Sequence, residues 1–363
     1  MTRSTDLLIV GTGIAGLTSA LAAADVGLRV VLCGEARTGS ASRAAAGMLA
    51  PSLDGMPDAV QQQAFAARDF YPEFLSALRE RSGIDVPLNR RGILEVAHSD
   101  EERVTLLSRA PSWAERLDRE DLARAEPLLA AHAGALFHRH DGAVDNVILL
   151  DALDVAVART RAVARLDVTV AAFDVRSGRP RATIAGGEVL EAESIVIASG
   201  AWANGLQGLP HPVAVRPLCG QLMRLDSTAV SHVVYAGGGY LVPRGTSLLI
   251  GATTEETGFE SSTTAEGLAA LRSIATRAIP ALGGAAVIDH WAGLRPVTPD
   301  ALPILGADPQ FPALLYACGF SRNGILLAPW AAKQMVSLFL GKEAAPELAP
   351  FHVSRFPTSR VTP

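Results

Sequence analysis

Short apolar runs followed by glycine-containing turns occur at the start, the middle and the end of the chain. Residues 6–10, 195–198 and 314–317 are such runs, and their continuous apolar character predicts buried strands of a parallel sheet. An Ala-rich segment at 14–26 predicts a helix after the first run, and residues 28–32 predict the next strand. Together these segments predict a strand–helix–strand unit at the beginning of the chain.

The region from about residue 213 to 291 has a different pattern. Short strands are predicted at 221–225, 240–243 and 248–251, and a helix is predicted at 265–279. This pattern indicates a second, largely antiparallel sheet.

Other segments complete the predicted order of elements. Helices are expected at 60–81, with a kink or restart at Pro72, at 149–165, and from a loop at 318–323 to about residue 340. A strand is expected at 168–175 and a loop of small residues at 40–51. Pro329 is best tolerated in the first turn of the last helix.

Composition narrows the class of protein. The chain has 363 residues, 49% of them hydrophobic and 19% charged, which is typical of a globular protein with about two domains. The net charge of -5 and the lack of a basic stripe argue against nucleic acid or an anionic membrane as main partners. The apolar start of the chain is interrupted by glycines, which argues against a signal peptide or a membrane span.

The titratable residues do not form a metal site. Cys33, Cys219 and Cys318 are far apart and are expected to be reduced thiols of a cytoplasmic protein. His138 and His140 resemble a metal pair, but the surface of a strand or loop is the simpler interpretation. We therefore predict no metal.

A nucleotide-binding motif follows the first strand. Gly11, Gly13 and Gly16 form G-x-G-x-x-G with Ile14 and Ala15 between them, at the point where a helix begins. The first glycine permits the tight turn, the second lets a pyrophosphate approach the backbone, and the third lets helix and strand pack closely.

An acidic residue completes this motif. Glu35 stands 19 residues after Gly16, where a carboxylate binds the ribose hydroxyls and argues against the 2′-phosphate of NADP. The motif does not distinguish FAD from NAD.

Three further stretches, at 42–51, 291–296 and 319–329, distinguish the two cofactors. The chain resembles the D-amino-acid oxidase family of flavoproteins, and within it the glycine oxidases of thiamine biosynthesis. The resemblance lies in SRAAAGMLAP at 42–51, YLVPR at 240–244, GATT at 251–254, WAGLRP at 291–296 and RNGILLAP at 322–329.

The resemblance implies a mixed α/β (α+β) fold in which a Rossmann-like FAD-binding domain is interleaved with a substrate domain built on a largely antiparallel sheet. The predicted FAD-binding parts are 1–83, 141–210 and 293–363, and the predicted substrate-binding parts are 84–140 and 211–292. Relatives that attach FAD covalently do so through a cysteine in the region matching 296–303. No cysteine occurs there, so FAD is expected to bind non-covalently.

The motif and the resemblance together predict the residues that contact FAD. They are Gly11, Gly13, Ile14, Ala15, Gly16, Glu35, Ala36, Ala41, Ser42, Ala46, Gly47, Met48, Val175, Ser199, Gly200, Trp202, Gly293, Arg322, Asn323, Gly324, Ile325 and Leu326.

The resemblance also implies the substrate site. Arg295 would pair with the substrate carboxylate, assisted by Arg322 and Tyr240, because a guanidinium binds a planar carboxylate with two parallel hydrogen bonds. Each residue has an alternative role: Arg295 could pair with Asp300, Arg322 could contact only the flavin, and Tyr240 could be a buried aromatic.

Other positions of this region leave similar choices. His290 could line the pocket or be a core histidine, and Thr254 and Asn146 depart from the residues expected in the family. A larger apolar residue is familiar at position 254, so the pocket volume could differ.

The implied activity is oxidative deamination of glycine or another small amino acid, with oxygen as electron acceptor and hydrogen peroxide as a product. The partners would be that substrate and oxygen, in a homo-oligomer. Three alternatives stay open: oxidation of a bulkier secondary amine, a flavin-dependent dehydrogenase with another acceptor, and a nicotinamide-dependent dehydrogenase.

Overall fold

The computed structural model describes residues 5–53, 56, 58–129, 131–175 and 178–356. Within these residues the chain forms eight α-helices and nineteen strands. The helices are α1 (Ile14–Asp25), α2 (Ala41–Ala44), α3 (Asp58–Ser82), α4 (Asp100–Ser108), α5 (Arg119–Ala125), α6 (Asn146–Arg159), α7 (Ala265–Ala278) and α8 (Gly324–Phe339).

The strands are β1 (Thr5–Val10), β2 (Val30–Cys33), β3 (Met48–Leu49), β4 (Leu88–Asn89), β5 (Ile93–Ala97), β6 (Glu115–Leu117), β7 (Gly134–His138), β8 (Gly142–Val144), β9 (Val163–Leu166), β10 (Val170–Asp174), β11 (Arg181–Ile184), β12 (Val189–Ile197), β13 (Arg216–Asp226), β14 (Val233–Ala236), β15 (Gly239–Arg244), β16 (Ser247–Gly251), β17 (Val287–Val297), β18 (Ile304–Ala307) and β19 (Leu314–Cys318).

The first sheet is built from the three glycine-flanked runs of the sequence. Strands β19, β12, β1, β2 and β9 are parallel neighbours in that order, and β18 adds an antiparallel edge. Strands β10 and β11 extend β12 as an antiparallel ribbon. Hydrophobic cores lie on both sides of the parallel strands, which explains their continuous apolar sequence.

The second sheet has the order β17-β13-β16-β15-β14-β5-β7-β6. Its neighbours are antiparallel except for the pair β14 and β5, which is parallel. Helix α7 covers one face, where Leu271 and Ala275 join the core formed by this sheet. A small third sheet, β3-β8-β4, lies between the two.

Two sequence predictions about local structure were wrong. The predicted loop at 40–51 contains helix α2 and strand β3. The helix predicted at 149–165 begins at Asn146 and ends at Arg159, and Val163–Leu166 is strand β9. The apolar residues after 159 pair with β2 instead of continuing the helix, so tertiary pairing outweighs the local pattern.

The two helix prolines are also placed differently from expectation. Helix α3 runs through Pro72 without an interruption of the assigned helix. Pro329 is the sixth residue of α8 and lacks the N–H that would bond the carbonyl of Ile325. The hydroxyl of the buried Tyr71 donates to that carbonyl, so the helix keeps its proline without an unpaired acceptor.

The predicted division into domains remains a prediction. The strands of the two large sheets alternate along the chain as the interleaved pattern requires. Strand β17 belongs to the second sheet and crosses the predicted boundary between residues 292 and 293.

The cysteines and histidines lie in particular environments. Cys33, Cys219 and Cys318 are free and buried. His138 is buried, with Nε2 3.3 Å from Glu95 Oε2, so its predicted surface position was wrong. His290 is exposed on β17 and forms a hydrogen bond with Thr263, so it is not a core histidine.

In the part of the chain that the structure describes, no cluster of potential metal ligands occurs. No helix in this part is long and apolar enough to span a bilayer.

Candidate active site

A cavity of about 860 Å³ begins where the parallel strands end. Val10, Ala198 and Cys318, at or beside the carboxyl ends of β1, β12 and β19, contribute to its wall. At its other end it reaches the antiparallel sheet, at Leu222 and Tyr240. The cavity therefore connects the nucleotide motif with the second sheet, in the position where open α/β sheets bind ligands.

The cavity brings together most of the residues that the sequence predicted. All predicted cofactor residues line it except Gly16, Val175 and Leu326, and the predicted substrate residues Tyr240, Arg295 and Arg322 line it as well. Val175 and Leu326 are buried in hydrophobic cores, so contacts between them and a ligand remain predictions.

The glycines of the motif are required by close backbone contacts. A Cβ on Gly11 would lie 2.2 Å from the carbonyl oxygen of Ala198, and its φ is +125°. A Cβ on Gly16 would lie 1.7 Å from the carbonyl oxygen of Gly11. Gly16 therefore acts in the packing of α1 against the turn rather than in the cavity wall, which is the role expected for the third glycine.

The amino end of α1 faces the cavity. Its N-cap Gly13 has no capping side chain, and the N–H of Ile14 donates to Ser42 Oγ at 3.1 Å. Backbone N–H groups at a helix start favour anions such as a diphosphate. Glu35, the predicted ribose acid, is exposed at the cavity edge and accepts a 2.7 Å bond from the hydroxyl of Thr169.

The small residues at 41–46 pack against strand β17. The indole nitrogen of Trp291 donates to the carbonyl of Ala44 at 2.9 Å. A Cβ on Gly293 would lie 2.3 Å from Cβ of Ala44. The close contact between α2 and the second sheet therefore requires small side chains at 41–46. A ligand in the cavity would impose the same requirement.

Residues that the sequence analysis did not assign hold this segment in place. Asn146 donates from Nδ2 to the carbonyls of Ser42 and Arg43 at 3.0 and 3.1 Å. Arg244 donates to the carbonyl of Ala46 at 2.5 Å and pairs with Asp145 at 2.9 Å. The departure at Asn146 was the one sequence signal of this arrangement.

Three polar side chains meet at the substrate end. Arg295 Nη1 donates to the carbonyls of Thr253 at 3.1 Å and Cys219 at 3.3 Å. Its guanidinium lies against Gly220, where a Cβ would be 2.2 Å from Nη1. Tyr240 and Arg322 are near enough for their charges and hydrogen bonds to influence Arg295.

The electrostatics of this group favour an anionic ligand. Burial lowers the pKa of Arg295, and the positive charge of Arg322 acts in the same direction, while Tyr240 opposes both. Burial raises the pKa of Tyr240 against the effect of the two arginines, so its hydroxyl stays protonated and can donate. Within the described residues Arg295 has no ion pair with a carboxylate. A carboxylate ligand would supply the missing negative charge.

The alternative role of Arg295 is excluded by the position of Asp300. The carboxylate of Asp300 pairs with Arg355 at 2.7 Å. Both oxygens of Asp300 accept from the same guanidinium, and one also accepts from the N–H of Leu302. Asp300 is therefore not the partner of Arg295.

Comparison with known proteins assigns the family. A family model described as FAD dependent oxidoreductase (DAO) matches residues 6–338. The chain belongs to this family. The glycine oxidase of Geobacillus kaustophilus is 35% identical over 371 residues, covering 98% of each chain. Its crystal structure superposes with a TM-score of 0.91 at 31% identity, covering 98% of this chain and 100% of that one.

A second relative is a longer protein. The bifunctional protein ThiO/ThiG of Synechocystis is 35% identical over 379 residues. The match covers all of this chain but 56% of the relative. The fold class predicted from the sequence is confirmed, and the cofactor of this family is FAD.

The polar atoms that line the cavity are suited to bind a flavin dinucleotide. The glycine turn and the amino end of α1 supply backbone N–H groups to the cavity, with the hydroxyl of Ser42 beside them. At the other end, Ser321 Oγ is buried on the cavity wall and has no hydrogen-bond partner within the described residues. An unpaired buried hydroxyl costs about 1–3 kcal/mol, so a ligand that accepts or donates there is favoured.

Ser321 is therefore expected to bond the flavin. We expect Ser321→Ala to weaken FAD binding by about tenfold, since one buried hydrogen bond is worth about 0.5–1.5 kcal/mol. Titration of the apoprotein with FAD measures this. Ser273→Ala, an exposed serine on α7, is the control. Equal FAD affinity of the Ser321 variant and the control would contradict the assignment.

Asn146 is expected to act on FAD through the backbone at 42–43. Asn146→Ala removes two bonds to carbonyls of the α2 segment, and we expect the dissociation constant of FAD to rise about tenfold. Asn89→Ala removes a comparable 3.1 Å bond to the carbonyl of Ser231, outside the cavity lining. FAD affinity should stay unchanged in that control, and a similar loss in both variants would indicate a general loss of stability.

Proposed function

We propose that this protein is an FAD-dependent amino-acid oxidase that acts on glycine and other small amino acids, including small D-amino acids and sarcosine. The observation that carries this proposal is Arg295, a half-buried guanidinium at the end of the FAD cavity that has no carboxylate partner among the residues the structure describes. The family and the similarity to glycine oxidase support it.

The side chains of the site bind and orient the substrate. Arg295, with Arg322 beside it, holds the carboxylate, and the protonated Tyr240 donates to it. Fixing the carboxylate places the α-carbon of the amino acid in one position, which is the main contribution of the protein to a reaction of this kind. When bound, FAD supplies the two-electron redox chemistry.

The net reaction converts a primary amino acid, oxygen and water into a 2-oxo acid, ammonia and hydrogen peroxide, and with sarcosine the nitrogen leaves as methylamine. The substrate loses two electrons and two protons to oxygen, and water then replaces the imine nitrogen. No side chain needs to act as a general base when the amine enters neutral, so the site requires binding groups rather than an acid–base pair.

The proposal includes three points about the cofactor: the residues that contact FAD, its non-covalent binding, and the division of the chain into FAD-binding and substrate-binding parts. It also includes a homo-oligomeric state, a cytoplasmic location and a role in forming the thiazole of thiamine, which rest on the resemblance to glycine oxidases.

The deciding experiment is an anaerobic screen for loss of flavin absorbance. Purified holoprotein is mixed with glycine, sarcosine, D-alanine, D-proline and larger amines, and peroxide is measured after air is admitted. We expect bleaching by glycine or sarcosine and release of peroxide. Bleaching without peroxide would favour a dehydrogenase with another acceptor, and a purified protein without flavin would refute the proposal.

A further inference from the structure

A second cavity of about 450 Å³ lies next to the substrate end of the large one. Strand β5 contributes Glu95 to its wall, and helix α4 contributes Thr105. Tyr235 and Gly238 line both cavities, so they form the partition between them.

Three residues of the two cavity walls lie on one face of the antiparallel sheet. Tyr240 is paired with Tyr235 across β15 and β14, and Tyr235 is paired with Glu95 across β14 and β5. Residues directly opposite one another on neighbouring strands share a face. At about 4.8 Å per strand, Glu95 lies about 10 Å from Tyr240 along the sheet. A row of three residues therefore leads from the substrate end into the second cavity.

Among the described residues, Tyr235 and Gly238 are the two that line both cavities. Tyr235 is half-buried, and Gly238 stands in a turn with Gly237 in which both glycines have positive φ. A Cβ on Gly238 would meet no atom within 4 Å. Tyr235 is therefore the one side chain shared by the two cavity walls within the described residues.

Five of the thirteen residues that line the second cavity are charged, and four of these five form two ion pairs. Glu95 accepts from Arg109 at 2.5 Å, and Glu102 accepts from Arg277 at 2.7 Å. A polar group entering this cavity can hydrogen-bond to such pairs, whereas an apolar chain would remove their water without replacing its bonds. The lining therefore favours a ligand whose far end is polar.

We propose that the substrate pocket continues past Tyr235 into the second cavity and that this extension accepts a substituent with a polar end. The inference rests on the proposed function, because it takes Arg295 as the carboxylate anchor. The substrate class then includes amino acids with a polar side chain of several atoms, as well as glycine. Tyr235 sets the size limit of the substituent.

The test measures binding rather than turnover. Acetate, nonanoate and suberamate (the monoamide of octanedioic acid) carry the anchoring carboxylate but no oxidisable amine. The last two have similar lengths of about 10 Å, enough to span two strand spacings and reach the second cavity, but different ends. Their dissociation constants are read from the change in flavin absorbance of the holoprotein. We expect suberamate to bind about tenfold more tightly than nonanoate in the unaltered protein.

Two variants locate the extension. Thr105 is exposed and lines only the second cavity, so Thr105→Trp should fill it and weaken suberamate about tenfold while acetate binding changes less than about twofold. Tyr235→Ala should open the partition and tighten suberamate. Glu101→Trp, another exposed position of the same wall, repeats the block if Thr105→Trp does not fold.

The possible failures are distinguishable. If acetate perturbs the flavin but suberamate binds no better than nonanoate, or is unaffected by the blocking variant, the extension does not exist and the proposed function stands. If no carboxylate perturbs the flavin and no small amino acid reduces it, the proposed function itself is wrong.

Discussion

Arg295→Ala is expected to raise the KM for glycine steeply and to lower kcat/KM by about 10² to 10³. The reason is that removing one partner of a buried charge pair costs about 2–5 kcal/mol, and each 1.4 kcal/mol is a factor of ten. FAD should remain bound, because the hydrogen bonds of Arg295 go to the carbonyls of Cys219 and Thr253 on the second sheet. Steady-state kinetics with peroxide detection, together with the flavin spectrum, measure both quantities.

Arg216→Ala is the matched control for this experiment. Arg216 lies on the neighbouring strand β13, and its exposed guanidinium pairs with Glu256 on the surface. An exposed pair of this kind contributes about 0–1 kcal/mol, so the kinetics should be unchanged. Normal turnover by the Arg295 variant would show that the carboxylate is bound elsewhere.

The buried parallel strands could be predicted because their sequences carry the signal locally. The runs at 6–10, 195–198 and 314–317 became β1, β12 and β19. Strands covered on both faces must be continuously apolar, and the glycine turn after the first one is demanded by contacts within the same unit. The fold class followed from these runs and from the antiparallel pattern between them.

The segment 40–51 is a case in which the local sequence does not determine the secondary structure. Its small residues are compatible with loop, helix or strand, and the structure contains α2 and β3 there. The choice depends on Trp291 and Asn146, which bind its carbonyls from distant parts of the chain. Neither contact leaves a pattern in the segment itself, so a prediction from its own residues could not find it.

The residues of the candidate site also fall into two groups, those that the sequence could predict and those that it could not. Residues in direct contact with the cavity, such as Arg295 and Tyr240, stand in recognisable motifs and could be proposed from the sequence. Residues that position them could not. Gly220 has no motif around it, and its importance appears only when the guanidinium of Arg295 is found against its α-carbon. The hydroxyl of Ser321, which has no partner within the described part of the chain, is likewise visible only in three dimensions.

Gly220→Ala is therefore expected to disturb the substrate site through Arg295. A Cβ at this position would lie 2.2–2.4 Å from three guanidinium atoms, and the end of a long side chain moves more readily than the backbone of a central strand. We expect Arg295 to be displaced and kcat/KM for glycine to fall about 10²-fold, as for a misplacement of about 1 Å. Glycine kinetics and flavin content of the purified variant provide the measurement.

The control and a double variant test whether Arg295 is the intermediary. Gly284→Ala adds the same methyl group where no atom lies within 4 Å, so its kinetics should match the unaltered protein. In an Arg295→Ala background the guanidinium is gone, and Gly220→Ala should then have little further effect. Coupled residues give such non-additive results, whereas independent sites add. A full additional loss in the double variant would mean that Gly220 acts on the sheet itself and not on the arginine.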